Sequence, residues 1–380
     1  MEILSIIGFL AIAVLILCFM IAVHELGHYL AGKLLGFKIN EFAIGMGKIL
    51  FKRTNKKTGE VFTLRAIPLG GFCSFEGDDG LESKTVGKND SESTDATTET
   101  KKAMAFNEQP PWKRLIVLFS GAFFNFLSAI LFAMVLLMIV GYNQVMGYQN
   151  VDPESKSGLP DNGIIHAISL DNGETFEEFS LLHSFSSYLA QCGAEDEIIL
   201  KYEEGGVIKY TEAFKLIPLE DADGKIGIGI SGMYSIKQPL GFFELLWKST
   251  LFCFEIAWLI LSFLWGMITG QVSLSGVGGP IATVSVMTQS LSNTLLNIFL
   301  LVPMISVNLA LFNLLPIPAL DGARMVFTTI EWVRGKPVNP EIEGRIHMIG
   351  LIILFGLVFL ADFNYLVGGL KFILYNRLLL

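Results

Sequence analysis

Residues 3–23 form an almost unbroken apolar run, relieved only by Ser5 and Cys18, and the run ends directly in His24-Glu25-Leu26-Gly27-His28. At 1.5 Å of rise per residue, about 20 apolar residues cross the hydrocarbon layer. The sequence therefore predicts a membrane-crossing helix with two histidines near its end. His24 and His28 are four apart and share one helix face. Neutral imidazole is a good zinc ligand, and a pair at this spacing can hold one tetrahedral ion. In proteins that use this pattern the intervening glutamate, here Glu25, is the general base toward a water whose pKa the metal lowers to about 7. Ionisable groups at such depth are costly in lipid, which separates this motif from two polar residues that merely cap an apolar helix.

Composition extends the membrane reading to the whole chain. Of 380 residues, 52% are hydrophobic and 17% charged, against about 25% charged in soluble domains. The formal net charge of −9 gives no reason to expect a nucleic-acid partner. Cys18, Cys73, Cys192 and Cys253 are scattered without C-x-x-C spacing, so neither a disulfide framework nor a cysteine metal site is expected. The N-terminus lacks a basic segment, and its apolar run ends in the histidine motif, so it reads as a retained span.

In chain order, residues 1–36 are expected to hold the first transmembrane helix, ended by Gly36. Residues 37–75 change to short strand-like runs separated by glycines and read as a membrane-associated β-loop. Within it Pro68, Leu69, Gly70 and Gly71 join a strand to a turn that permits close backbone approach, although a plain surface hairpin has the same signature. Residues 76–111, rich in Ser, Thr, Asp, Glu and Lys, read as a flexible cytoplasmic insertion. A second transmembrane helix is expected over 112–141, entered through Trp112-Lys113-Arg114. Its Gly121, Asn125 and Ser128 suit helix packing, and Asn125 is also a candidate for lining the site.

Residues 142–235 form an acidic soluble interval. Strand-like pieces at 163–169, 198–202 and 207–214 and a helical stretch at 176–191 predict a small α+β domain. His166 and His183 lack motif partners there. Residues 241–270 are apolar but carry Glu244, Lys248, Glu255 and three tryptophans, which fits either a span or an interfacial helix. Residues 271–294 read as a Gly-Pro connector, whose glycines lack the Lys-Ser/Thr of a phosphate loop.

Residues 295–322 are expected to form the third core transmembrane helix. Asn308 and Asn313 lie inside it, and Asn313-Leu314-Leu315-Pro316-Ile317-Pro318-Ala319-Leu320-Asp321-Gly322 closes it. Pro316 and Pro318 break the helix and free backbone groups that must find partners. Asp321 follows at membrane depth and needs a cation. Catalytic zinc sites often combine two histidines and a carboxylate, so Asp321 is the candidate third ligand beside His24 and His28, although an Asp capping a helix after a proline break is the plainer alternative. A cytoplasmic loop at 323–345 and a last transmembrane helix at 346–374 complete the chain. Lys and Arg concentrate between the first two and the last two spans, which makes those loops cytoplasmic and the acidic domain extracytoplasmic. Four spans satisfy this parity if 241–270 does not cross.

These motifs resemble the site-2 protease family of intramembrane zinc metalloproteases, in its bacterial regulator-of-sigma-E branch. His24 to His28 matches the first motif of that family, and Asn313 to Gly322 its Asn-x-x-Pro-x-Pro-x-Leu-Asp-Gly motif. Arg65 to Phe72 resembles its membrane-entering β-loop, and Gly278-Gly279-Pro280-Ile281 its Gly-Pro-Ile segment. The segment 157–165 resembles the start of a PDZ domain, with Asp161-Asn162-Gly163 departing from the usual pattern. The resemblance implies a polytopic α-helical membrane protein of about four transmembrane helices with a membrane-entering β-hairpin and one inserted PDZ-like domain, in the bacterial inner membrane.

It also implies the chemistry: zinc on His24, His28 and Asp321, with Glu25 as base. The substrate would be a pre-trimmed single-span membrane protein, such as an anti-sigma factor or a remnant signal peptide. That substrate would be held along Pro68, Leu69, Gly70 and Gly71 and near Pro316 and Pro318. Asn308 and Asn313 would bond freed backbone or a developing oxyanion, or else only bond between helices. A catalytically silent zinc-binding sensor or scaffold is the alternative, and intact Glu25 and Asp321 argue against it. A transporter is opposed by the absence of a visible inverted repeat.

Overall fold

The computed structural model describes residues 2–77, 104–142, 144–152, 155–193, 195–218, 226–237, 240–271, 279–293 and 297–378. The chain divides into two units, Met1–Ala133 with Thr250–Leu380, and Met134–Ser249.

In the first unit, helix α1 (Glu2–Leu35) spans the apolar run and the histidine motif without interruption. It stops at Gly36, whose left-handed conformation (φ 81°) lets the Phe37 N–H reach back to the Gly32 carbonyl at 2.9 Å. Strands β1 (Ile39–Thr54) and β2 (Val61–Phe75) then pair antiparallel. They do not form a straight ribbon. Residues 39–44 pair with both 61–64 and 71–75, and 49–54 pair with 61–65. Four short segments result, in the order 71–75, 39–44, 61–65, 49–54, and Gly45 and Gly47 (φ 85° and 81°) make the bend.

The hairpin is fixed to α1 and to helix α2 (Pro111–Val140) by a cluster of Tyr29, Phe37, Ile39, Cys73, Phe75, Phe106, Val117 and Leu118. Much of the expected insertion, residues 78–103, lies outside the described residues. Its end does not fit a flexible reading: Met104 bridges Phe37, and Phe106 is buried with its ring 5.4 Å from Phe37 and 5.6 Å from Phe75.

Five helices are long and apolar enough to cross a membrane, at Ile7–Leu35, Pro111–Val140, Phe242–Ile268, Asn297–Leu314 and Glu341–Val367. One helix more than the expected four qualifies by length and composition, and it falls on 241–270, expected to be either a span or an interfacial helix. The added helix, α4 (Phe242–Ile268), is continuous, and its charges interrupt the sequence without interrupting the helix. It buries Phe252, Cys253 and Ile256 and sets Phe254 5.1 Å from Phe126 of α2. The Gly-Pro connector expected at 271–294 contains a helix. Its described part is helix α5 (Pro280–Asn293), which packs Met287 on Ala13 of α1. The Asp362 carboxylate receives the first free N–H groups of α5, from Ile281 at 3.3 Å and Ala282 at 3.2 Å.

Helix α6 (Asn297–Leu314) is followed by a non-helical break, and Asp321 opens a new helix, α7 (Asp321–Arg334). Helix α8 (Pro340–Leu378), which carries Asp362, ends the chain.

The second unit is built on an antiparallel sheet. Its strands are β3 (Gln144–Val151), β4 (Asn162–Ser169), β5 (Glu177–Glu178), β6 (Glu197–Glu204), β7 (Val207–Tyr210), β8 (Phe214–Lys215) and β11 (Ile230–Lys237), while β9 (Ile217–Pro218) and β10 (Ile226–Gly227) pair separately. The main order is β11-β3-β4-β6-β7. Tyr148, Ile165, Ile168, Phe179, Phe185, Ile198 and Leu200 form the core.

The helix expected over 176–191 shrinks to α3 (Phe185–Leu189). Serines account for the difference, because their side chains compete with helical bonding. Ser180 Oγ accepts from the His183 N–H at 3.1 Å, and Ser184 Oγ accepts from the Ser187 N–H at 3.2 Å. His166 and His183 take structural places, the first against Glu203 at 2.9 Å and the second beside the Tyr188 ring.

In the turn after β4, Thr175 (hydroxyl, then backbone N–H) and the Ser169 hydroxyl hold the Asp171 carboxyl down at about 2. A depressed carboxylate contributes stability above its unfolded pKa of about 3.9 and loses that contribution as pH falls through its folded value. The 169–175 turn should therefore loosen between pH about 4 and about 2. Amide exchange at Gly173 and Thr175, followed across that window, checks it.

Candidate active site

His24 and His28 are buried one turn apart on α1, with their Nε2 atoms 3.2 Å apart. Asp321 Oδ2 lies 3.1 Å from His24 Nε2 and 3.2 Å from His28 Nε2. A tetrahedral zinc with N and O ligands at about 2.0–2.1 Å sets neighbouring ligand atoms about 3.3 Å apart. The three donor atoms thus form a triangle of nearly the size of one face of that tetrahedron. Among the described residues, they are the one group of three or more His, Cys, Asp or Glu that could hold a metal ion. Their chemistry, two imidazoles and a carboxylate, is that of a catalytic zinc centre with one position left for water.

Helix α2 supplies the back wall. Val117, Gly121 and Asn125 are spaced by four and line one face, running antiparallel to the histidines. The Val117 carbonyl lies 2.8 Å from His28 Nδ1 and accepts its proton in the tautomer that leaves Nε2 free. The amide of Asn125 lies 3.4 Å from His24 Nδ1. Gly121 sits between them. A methyl group there would collide with His28 Nε2 and stand 2.6 Å from His24 Cε1. Asn125 is pinned in turn, because its carbonyl accepts from Ser128 Oγ at 2.8 Å and from Ser306 Oγ of α6 at 2.7 Å.

Asp321 is delivered by the broken segment between α6 and α7. Its carboxylate faces the histidines, and Leu320 holds the N-cap position without a side-chain bond. Two residues earlier, Ala319 adopts a left-handed conformation (φ 79°), which costs energy for a residue with a Cβ. Its N–H donates to His347 Nδ1 of α8 at 2.9 Å. One turn further along α8, Gly350 leaves room for Pro318, whose Cγ would lie 2.8 Å from a Cβ there. The far end of α7 is held by an ion pair between Glu331 and Arg114 of α2.

Glu25 points to the hairpin side. The Cys73 backbone N–H hydrogen-bonds its carboxylate. A Cβ on Gly71 would stand 3.2 Å from Glu25 Cγ and from Ile21 Cγ2, so segment 71–75, at the margin of the hairpin sheet, lies directly on the motif. Pro68, Leu69 and Gly70 precede it in β2, with Gly70 left-handed at φ 91°.

Asn308 is exposed on α6 and Asn313 is half-buried near its end, and among the described residues neither side chain has a hydrogen-bond partner. The interhelical polar contact of α6 is made by Ser306. Pro316 is exposed in the break, beside Pro318. Sequence reasoning marked Gly121 for helix packing but not for its place against the histidine rings, and it missed Val117 and His347. The four-residue spacing of Val117, Gly121 and Asn125, which mirrors the histidine pair, was the available signal for Gly121 and Val117. No local signal marks His347.

Because Gly121 occupies the space in front of both rings, Gly121→Ala should reduce zinc binding by at least about tenfold, the scale of disturbed support around metal ligands, while helix content stays unchanged. Chelator competition and circular dichroism on the purified protein check it.

The sequence profile of peptidase family M50 matches residues 12–357. A protein of Fusobacterium nucleatum named as a zinc metalloprotease is 29% identical over 367 residues, covering 93% of this chain and 97% of its own. Zinc metalloprotease RasP of Oceanobacillus iheyensis is 27% identical over 415 residues, covering 91% and 95%. A relative in Rickettsia conorii, also named as a zinc metalloprotease, is 29% identical over 380 residues, covering 95% and 98%. With its apolar helices and its His-His-Asp cluster, the chain belongs to peptidase family M50, the site-2 protease family of multi-pass membrane zinc metalloproteases.

Proposed function

We propose that this protein hydrolyses a peptide bond inside the transmembrane segment of a single-span membrane protein that another protease has already trimmed. His24, His28 and Asp321 would hold zinc, which when bound supplies Lewis-acid polarisation of water and of the scissile carbonyl. The observation that carries the reading is the position of Glu25. It lies beside the histidine pair on one side and against a strand margin, at Gly71 and Cys73, on the other.

A transmembrane helix hides its carbonyls in its own hydrogen bonds and must unwind before attack. Segment 68–71 offers extended backbone on which the unwound stretch pairs by strand addition. Glu25 takes a proton from the attacking water as its oxygen bonds to the carbonyl carbon. The same carboxyl returns that proton to the nitrogen as the C–N bond breaks. Asn308 and Asn313, whose amides have no other partner among the described residues, donate to freed substrate carbonyls or to the oxyanion. Pro316 and Pro318 keep the α6–α7 break open beside that path.

Topology is part of the proposal. The first halves of helices α1 and α6 meet one cluster built on Ala13 and on Met287 of α5, and both helices deliver their ligands near or beyond their far ends, so they run in the same sense. Helix α2 runs opposite to α1. Residues 242–296 therefore begin and end on one side of the bilayer, which supports an extracytoplasmic position for the sheet unit and cytoplasmic loops elsewhere, in a bacterial plasma membrane. In this reading the sheet unit is a PDZ-like size filter that admits trimmed substrates. Lys and Arg placement supports it.

The test is cleavage of a set of pre-trimmed single-span reporters by wild type and Glu25→Gln, with bound zinc quantified in both. Wild type should cut within the span. The variant should keep its zinc and lose at least about 100-fold in rate, the scale of a general base. Zinc-loaded wild type that cuts none of the reporters would contradict the proposal.

A further inference from the structure

We infer that Asn125 of α2 is the positioning residue for His24, acting as the hydrogen-bond acceptor that fixes its zinc-competent tautomer. The inference rests on the proposed zinc ligation and concerns a residue outside the ligand set. A histidine that binds metal through Nε2 carries its proton on Nδ1, and that N–H needs an acceptor. His28 has one in the Val117 carbonyl at 2.8 Å. Among the described residues, His24 Nδ1 has a single polar neighbour, the amide of Asn125, at 3.4 Å.

Asn125 is fully buried (0% exposed), and in the observed orientation its nitrogen faces the ring while its Oδ1 has no partner. A protonated Nδ1 facing an amide NH2 is donor against donor. Turning the carboxamide over about its terminal bond settles both problems, because Oδ1 then accepts from Nδ1–H and is no longer an orphaned buried acceptor. The backbone does not need to move, since the Asn125 carbonyl stays with Ser128 and Ser306. His24 and His28 would thereby hang from one α2 face through equivalent bonds, one to a main-chain oxygen and one to a side-chain oxygen.

The experiment measures zinc affinity of the full chain in detergent by competition with a chromophoric chelator, for wild type, Asn125→Leu and Asn125→Asp, each also carrying Glu25→Gln so that proteolysis plays no part. Leucine keeps the volume and removes the acceptor; aspartate keeps the acceptor. Affinity should fall about 10- to 100-fold in the leucine variant, the usual scale for an outer partner of a metal ligand, and stay within about threefold of wild type in the aspartate variant. Equal affinity of the leucine variant and wild type overturns the inference, and so does an equal loss in both variants. If the leucine variant does not fold, Asn125→Ala compared with Asn125→Asp decides by the same criterion. A wild type that binds no zinc, or a His24→Ala variant that still binds it fully, is instead a failure of the ligand assignment.

Discussion

The close approach of α1 and α2 is the contact on which the site depends. Gly121 presses its backbone against the facing rings of His24 and His28, so α2 can reach both ring Nδ1 atoms, through the Val117 carbonyl and the Asn125 amide. Small residues allow such approach between helices in lipid, where apolar side chains gain little by burying against one another. The rings are thereby aimed before any metal arrives, which lowers the ordering cost of binding it.

The third donor depends on a different support. The Pro-x-Pro segment forfeits helical hydrogen bonds at membrane depth, and irregular backbone is tolerated there only where protein covers it. Helix α8 provides that cover with His347 and Gly350, one accepting the Ala319 N–H and the other receiving Pro318. The strained left-handed Ala319 persists because these two contacts hold it, and the result is a carboxylate aimed at the histidine pair. Further along α8, Asp362 satisfies the start of α5 by the same logic of a buried acceptor at a helix N-terminus.

The parts of this arrangement that the sequence made legible are those with local signatures. The His24–His28 spacing names its own geometry, and the proline break before Asp321 announces a freed backbone near a buried carboxylate. Glycines were read as separators of short strands, and Gly70-Gly71 as permitting close approach or a plain surface hairpin; the chain bends at Gly45 and lies close to Glu25 at Gly71. Other features depend on what the chain meets in three dimensions. Helix α5 is short and polar-flecked, and it becomes helical against α1, α6 and α8. Glu244, Lys248 and Glu255 left 241–270 open between a span and an interfacial helix, and the chain forms one continuous helix of 27 residues there. Serine-rich turns between Phe176 and Phe185 imitated helical periodicity. His347 acts on a loop 28 residues away, a distance at which no spacing rule operates.

The central claim is the identity of the metal's ligands, and X-ray absorption at the zinc edge tests it most directly. The account predicts a first shell of N and O atoms alone at about 2.0–2.1 Å, with the multiple scattering of two imidazoles. One light atom should be lost or displaced in Asp321→Asn. A sulfur shell at about 2.3 Å, which Cys73 or Cys18 would supply, or a single imidazole, would contradict it.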